Sequence, residues 1–152
     1  MANTYTQLYI HIVFAVKGRQ NLISKIWKDE LYKYITGIVT NEGQKLIAIN
    51  GMPDHIHILI GLKPNKALSD LVRDIKANSS RFINEKSWIK GKFEWQIGFG
   101  AFSYSHSQLT NVINYIQNQE EHHKKKTFKE EYVDFLKAFD IDYNNQYLFD
   151  DV

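Results

Sequence analysis

The chain contains no cysteine. That excludes a disulfide framework, thiolate catalysis, thiolate zinc sites and iron–sulfur clusters together, and it fits a reducing compartment. No stretch approaches the ~20 apolar residues that a bilayer span requires, so no membrane association is expected. The opening Met1-Ala2-Asn3-Thr4-Tyr5-Thr6 has neither the basic flank nor the small-residue cleavage site of a secretory leader. A cytoplasmic protein is the expectation. The chain also lacks a G-x-x-x-x-G-K-[ST] run, an internal repeat and any low-complexity segment.

What remains suffices for a single domain spanning residues 1–152. At 43% apolar and 14% aromatic residues, the chain can bury a core without covalent staples. Net charge is only +2, but it is unevenly placed. Residues 1–119 carry 14 Lys and Arg against 8 Asp and Glu, whereas residues 120–152 carry 5 against 9. A basic body with an acidic end hints at a polyanionic partner, although ordinary solvated faces explain the charge equally well.

Hydrophobic periodicity divides the chain into alternating elements. Thr4–Val16 is apolar on both parities and rich in β-branched residues, as a central strand is. Ser24 is placed to cap a helix whose stripe is Trp27, Leu31, Tyr34, Ile35 and Ile38, with Gly43 as its stop. Lys45–Asn50 and His55–Leu62 flank the turn-forming Gly51-Met52-Pro53-Asp54 and read as a hairpin. A second helix starts near Ala67 and buries Leu68, Leu71, Val72, Ile75, Phe82 and Ile83. A strand over Phe93–Tyr104 follows, with Gly98 and Gly100 marking a bulge or close approach. A third helix starts at Ser105 or Ser107 and runs to about Lys124. Thr127-Phe128-Lys129-Glu130 has capping-box spacing and opens a fourth, ahead of an acidic tail with Tyr143, Tyr147, Leu148 and Phe149. The order β-α-β-β-α-β predicts an α+β fold, a ferredoxin-like antiparallel sheet with helices on one face and the other face free for a ligand.

In Asp54-His55-Ile56-His57-Ile58-Leu59-Ile60, alternation places His55 and His57 on one face, roughly 7 Å apart, and the isoleucines on the other. The isoleucines belong in the core, so the histidines are expected outside it, either solvated or holding a metal ion or phosphate. On the third helix Leu109, Val112, Ile113 and Ile116 form the packed stripe, and Gln108, Tyr115 and Gln119 align on its flank. Tyr115 and Gln119, four apart, are neighbours. A phenol with a pKa of about 10 is a poor nucleophile. Beside a divalent cation and a phosphate it becomes a competent one. Two strand histidines with a helical Tyr and Gln form a phosphodiester-cleaving set.

The run Asn50-Gly51-Met52-Pro53-Asp54-His55-Ile56-His57-Ile58-Leu59-Ile60 resembles the His-hydrophobic-His (HUH) motif of the TnpA-like single-tyrosine transposases. Tyr9–Ala15, Asn114–Gln119 with His122-His123 behind it, and the end Tyr147-Leu148-Phe149-Asp150 extend the likeness over nearly the whole chain. The resemblance implies that His55 and His57 are metal ligands, Gln119 the third ligand and Tyr115 the nucleophile. It implies a ferredoxin-like homodimer that cleaves and rejoins single-stranded DNA at hairpin-bearing insertion-sequence ends. The DNA would lie across the histidine face, and a 5′-phosphotyrosine would conserve the bond energy without ATP. The alternatives are a domesticated HUH nuclease and a hairpin-DNA-binding protein without transposition.

Magnesium prefers oxygen ligands and manganese accepts mixed donors, so Mg²⁺ or Mn²⁺ is expected. Zinc fits less well, because two histidines and an amide offer neither a third imidazole nor an anion. Lys63, Lys66, Arg73, Lys76 and Arg81 are candidate phosphate contacts. Phe99, Phe102 and Tyr104 are read as core or interface before base-stacking residues, His11 as a core histidine, and Lys124–Lys126 as a solvated helix end. His122 and His123 could orient DNA or cap the helix.

Overall fold

A computed structural model describes residues 3–143. Four strands, β1 (Tyr9–Ala15), β2 (Lys45–Met52), β3 (His55–Gly61) and β4 (Gly100–Tyr104), form an antiparallel sheet in the order β2-β3-β1-β4. Helices α1 (Lys28–Asn41) and α2 (Leu68–Lys86) supply the crossovers, which gives the expected ferredoxin-like topology. The side-chain alternation holds. Ile12, Phe14, Ile56, Ile58 and Ile60 point to α1 and α2 and pack against Leu31, Ile35, Val39, Leu71, Ile75 and Ile83. Each fully buried side chain of this size is worth about 1.5–3 kcal/mol, so this layer dominates the fold's stability.

The second face is not open. It is covered by α3 (Leu109–Gln117), α4 (Gln119–His123) and α5 (Phe128–Ala138). Val112 and Ile116 of α3 pack on Ala48 and Leu59, while Phe128 and Leu136 of α5 pack on Val13, Ala15 and Phe102. The expectation of a free ligand face fails because the apolar stripes of α3 and α5 need a partner, and Val13, Ala15, Leu59 and Phe102 are that partner.

Other differences have local causes. The strand expected over Phe93–Tyr104 is regular only from Gly100, with one bridge between Val16 and Trp95 before it. Phe93 and Trp95 bury their rings under α2. Asn84 Nδ2 donates to the Phe93 carbonyl and Asn84 Oδ1 accepts the Phe93 N–H, while Trp95 Nε1 donates to Ser79 Oγ. The Lys17 N–H donates to the Glu94 carbonyl and the Gln96 N–H to the Ala15 carbonyl, so the segment pairs with the end of β1 only around Trp95, and the Asn84 side chain holds the backbone at Phe93. The third helix begins with a 3-10 turn over His106–Gln108 and breaks at Asn118. Gln108 is occupied at that start, accepting the Ser105 N–H. In α1, Tyr32 and Val39 are buried, where Tyr34 and Ile38 had been expected; the latter two are only partly buried. The capping box of Thr127 and Glu130 forms as expected. Tyr143 is exposed, and Tyr147, Leu148 and Phe149 lie outside the described residues.

Candidate active site

β1 and β3 are the central strands, and His11, His55 and His57 project from them onto the face beneath α3–α5. All three are fully buried. The expectation of histidines outside the core is therefore corrected. They lie inside, as a polar island between the apolar patches that α3 and α5 cover, and DNA cannot lie directly across them.

The island is closed from the helices. Gln119, at the first position of α4, brings its amide oxygen 3.1 Å from His55 Nε2 and 3.1 Å from His123 Nε2. Glu131, in α5, places Oε1 3.1 Å from His57 Nε2, 3.2 Å from His123 Nε2 and 3.6 Å from His55 Nε2. Its other oxygen, Oε2, accepts a hydrogen bond from the Tyr115 hydroxyl. The structure thus brings together His55, His57, Gln119 and Tyr115 within one chain. Two further members, His123 and Glu131, carry no metal or catalytic role in the sequence reading. Ligand atoms of His55, His57, His123 and Glu131 all lie within 4.8 Å of one another.

Outer contacts fix these rings. Asp54 Oδ1 accepts from His55 Nδ1 at 2.7 Å, the Lys126 carbonyl accepts from His123 Nδ1 at 2.9 Å, and His11 Nε2 stands 2.8 Å from His57 Nδ1. His11 is thus an orienting partner of His57 as well as a core histidine. A carboxylate and a carbonyl only accept, so His55 and His123 each carry a proton on Nδ1 and turn Nε2 inward. Gln119 Nε2 faces the Tyr115 carbonyl and Glu131 Oε2, at 3.4 and 3.5 Å, which sets its oxygen toward the histidines. Imidazole nitrogens, an amide oxygen and a carboxylate oxygen thus converge on one point, the donor types that hold a divalent cation. The residues present fit a metal ion. They also remove the premise against zinc, since His123 is a third imidazole and Glu131 an anion.

Electrostatics follow from burial and from this carboxylate. Burial pushes His57 down to about 4, against the opposing hydrogen bond of Glu131. His11 is lowered by burial and by its neighbour His57. Burial alone would raise Glu131, but hydrogen bonds from His123, His57 and Tyr115 outweigh it and hold the carboxyl well below its usual range. Tyr115 is raised well above an ordinary phenol, first by burial and then by the charge of Glu131. The phenol is therefore protonated and held, with its ring stacked on His122 at 4.3 Å between centroids.

A cleft of about 590 Å³ leads to Tyr115, His123 and Glu131, with His122, Lys125 and Lys126 on its walls. Two of the three lysines read as a solvated helix end thus flank the approach to Tyr115. The other candidate cations are elsewhere. Lys63 is exposed beyond the end of β3. Lys66, Arg73, Lys76 and Arg81 are on or just before α2, on the opposite side of the sheet from the histidines. Lys66 pairs with Glu42 and Asp74, Arg73 with Asp70 and Asp74, and Arg81 with Glu85, while Lys76 donates to the Gln96 and Gly98 carbonyls. Phe102 is buried and Tyr104 half-buried, as expected, but Phe99 is exposed.

Comparison with known proteins gives a consistent result. A family model described as "Transposase IS200 like" matches residues 4–119. The ISDra2 transposase TnpA of Deinococcus radiodurans is 28% identical over 120 residues, 74% of this chain and 84% of that protein. A crystal structure assigned as a transposase from D. radiodurans R1 has a TM-score of 0.63 at 25% identity, covering 78% of this chain and 95% of the other. A REP-associated tyrosine transposase bound to a REP hairpin shares the fold, with a TM-score of 0.61 at 15% identity over 81% and 73% of the two chains.

Proposed function

The chain belongs to the IS200-like transposase family, and from that membership we propose that it cleaves and rejoins single-stranded DNA through a 5′-phosphotyrosine at Tyr115. The observation that carries the reading is the convergence of the Tyr115 hydroxyl, the His55–His57 pair and Gln119 on one buried point reached by a cleft. The substrate class is a hairpin-bearing DNA end, which accords with the hairpin bound by the REP-associated relative. A homodimer is part of the same reading.

His55, His57 and Gln119 would hold a divalent cation, Mg²⁺ or Mn²⁺. When bound, the cation polarises the scissile phosphate and offsets the charge of the attacking oxygen. The chain's own residues do the rest. Lys125 and Lys126 draw the backbone into the cleft. His122, stacked on the Tyr115 ring, limits its rotation. Tyr115 Oη forms a bond to phosphorus as the P–O3′ bond breaks. The phenolic proton leaves to solvent in the cleft as that bond forms, and solvent protonates the departing 3′ oxygen. Rejoining reverses these events: a 3′ hydroxyl attacks the phosphotyrosine, the P–Oη bond breaks and Tyr115 recovers a proton. The α2 cations, across the sheet, would contact only DNA far from the scissile phosphate.

The test is incubation of labelled single-stranded hairpin oligonucleotides with wild-type protein and Tyr115→Phe, with Mn²⁺ or EDTA, resolved on a denaturing gel. A slow-migrating covalent adduct that requires both the cation and the Tyr115 hydroxyl is expected. Hairpin binding without an adduct, indifferent to EDTA, would overturn the enzymatic reading in favour of a DNA-binding protein.

A further inference from the structure

We propose that His123 and Glu131 are ligands of the metal centre, making it a three-histidine, one-carboxylate, one-amide site, and that Glu131 bridges the cation and the nucleophile. The proposal rests on the reading of His55 and His57 as a metal pair. His123 and Glu131 lie beyond the stretch matched by the family model, which ends at residue 119.

The geometry is specific. His123 continues the series Tyr115, Gln119, His123, spaced by four. It faces the same point although the helix breaks at Asn118. The Lys126 carbonyl, accepting from Nδ1, turns His123 Nε2 inward, 3.1 Å from Gln119 Oε1 and 3.2 Å from Glu131 Oε1. Backbone or carboxylate contacts of this kind orient metal-bound histidines generally. Glu131 is buried, and its two oxygens have divided duties: Oε1 faces the three imidazoles, and Oε2 accepts from Tyr115 Oη. Ligand bonds of about 2.0–2.2 Å put atoms on a shared ion up to ~4.4 Å apart. The observed limit of 4.8 Å therefore needs side-chain shifts of only a few tenths of an ångström.

The enlarged donor set changes which metal is favoured. Three imidazoles and a carboxylate suit manganese and zinc, and a site this rich in nitrogen disfavours magnesium. The bridge has a consequence for the nucleophile, because the carboxylate that ligates the ion also fixes the Tyr115 hydroxyl beside it.

Two variants separate the ligand role from folding. Glu131→Gln keeps the shape and removes the charge. His123→Asn retains a donor for the Lys126 carbonyl and removes Nε2. Free Mn²⁺ measured by electron paramagnetic resonance in titrations of the full chain should show affinity reduced at least ~tenfold in each variant. Wild type should bind Mn²⁺ and Zn²⁺ at least ~100-fold more tightly than Mg²⁺. A smaller loss in either variant removes that residue from the ligand set, and Mg²⁺ binding as tight as Mn²⁺ overturns the donor set. The unaltered protein provides a check independent of variant stability. Imidazole ¹⁵N shifts on Zn²⁺ addition should move for Nε2 of His123 together with those of His55 and His57, and a stationary His123 would refute its role. A covalent adduct with unchanged metal affinity in both variants would sink this inference and leave the transposase reading intact. Metal binding through all five groups without an adduct would do the reverse.

Discussion

Asn50 is the clearest place to test how the sheet positions Tyr115. It lies on β2 opposite His57, and its Nδ2 donates to the carbonyls of Ile116 and Gln117 at 3.0 and 3.1 Å. Those carbonyls belong to the last turn of α3, immediately after Tyr115 and before the break that turns Gln119 inward. Replacing Asn50 with Ala removes both bonds and leaves two carbonyls at a half-exposed site where water partly substitutes. At about 0.5–1.5 kcal/mol per bond, less that substitution, the loss is about 1–2 kcal/mol. In a domain of this size that lowers Tm by roughly 2–8 °C.

The functional effect should exceed the thermal one. A displacement near 1 Å can cost on the order of 100-fold in rate, and a loosened turn shifts Tyr115 and Gln119 together. The expected outcome for Asn50→Ala is therefore a tenfold or greater slowing of adduct formation in a single-turnover gel assay, at a temperature where the variant is fully folded. Asn50→Asp, which offers no donor and sets an anion against two carbonyls, should behave worse. A lowered Tm with an unchanged adduct rate would show that the tether serves stability alone and would refute the positioning role.

Two further outcomes are expected. A Cβ on Gly51 would stand 2.3 Å from the His55 carbonyl oxygen, a backbone atom that cannot swing away. Gly51→Ala should therefore separate β2 from the start of β3, destabilise the fold by more than about 3 kcal/mol and weaken Mn²⁺ binding. Near-wild-type denaturation would contradict that contact. Lys76 is pushed down to about 8 by burial, while its unfolded amine keeps its proton to about 10.4. Between those values unfolding takes up a proton, so this group's contribution to stability rises with pH across the window. The wild-type Tm should climb relative to Lys76→Met from pH 8 to 10, and parallel curves would show an ordinary amine.

Alternation made β1, β3 and the α1–α2 core legible, because a strand's period of two is local and Ile56, Ile58 and Ile60 satisfy it without reference to distant residues. Position along β2 was less so. A register shift between Leu46 and Ala48 resets parity there, and only after it does Asn50 share the side of His57. Nothing in Lys45-Leu46-Ile47-Ala48-Ile49-Asn50 announces the shift. Phe93–Phe99 misled for a related reason: alternating aromatics imply a strand, but the segment pairs with the end of β1 only around Trp95, and the Phe93 backbone bonds instead to the Asn84 side chain on a helix.

Glu131 is the instructive omission. Phe128, Phe135, Leu136 and Phe139 define the apolar stripe of α5, and position 131, three after Phe128 and four before Phe135, lies on it. A carboxylate there conflicts with the helix's own pattern. It is buried, and an unpaired buried charge would cost several kcal/mol. The conflict is locally visible, whereas its resolution is not, since the groups that offset it are His57 on β3, His123 on α4 and Tyr115 on α3. Sequences that specify a fold tend to agree with it at every level, and departures concentrate where function requires them. A charge on an apolar stripe is therefore a site signal of the same kind as two histidines on one face of a strand. The sheet's second face had to be buried for either signal to count. Beneath α3–α5 the imidazoles of His55, His57 and His123, the Gln119 amide and the Glu131 carboxylate meet, although they come from β3, α4 and α5.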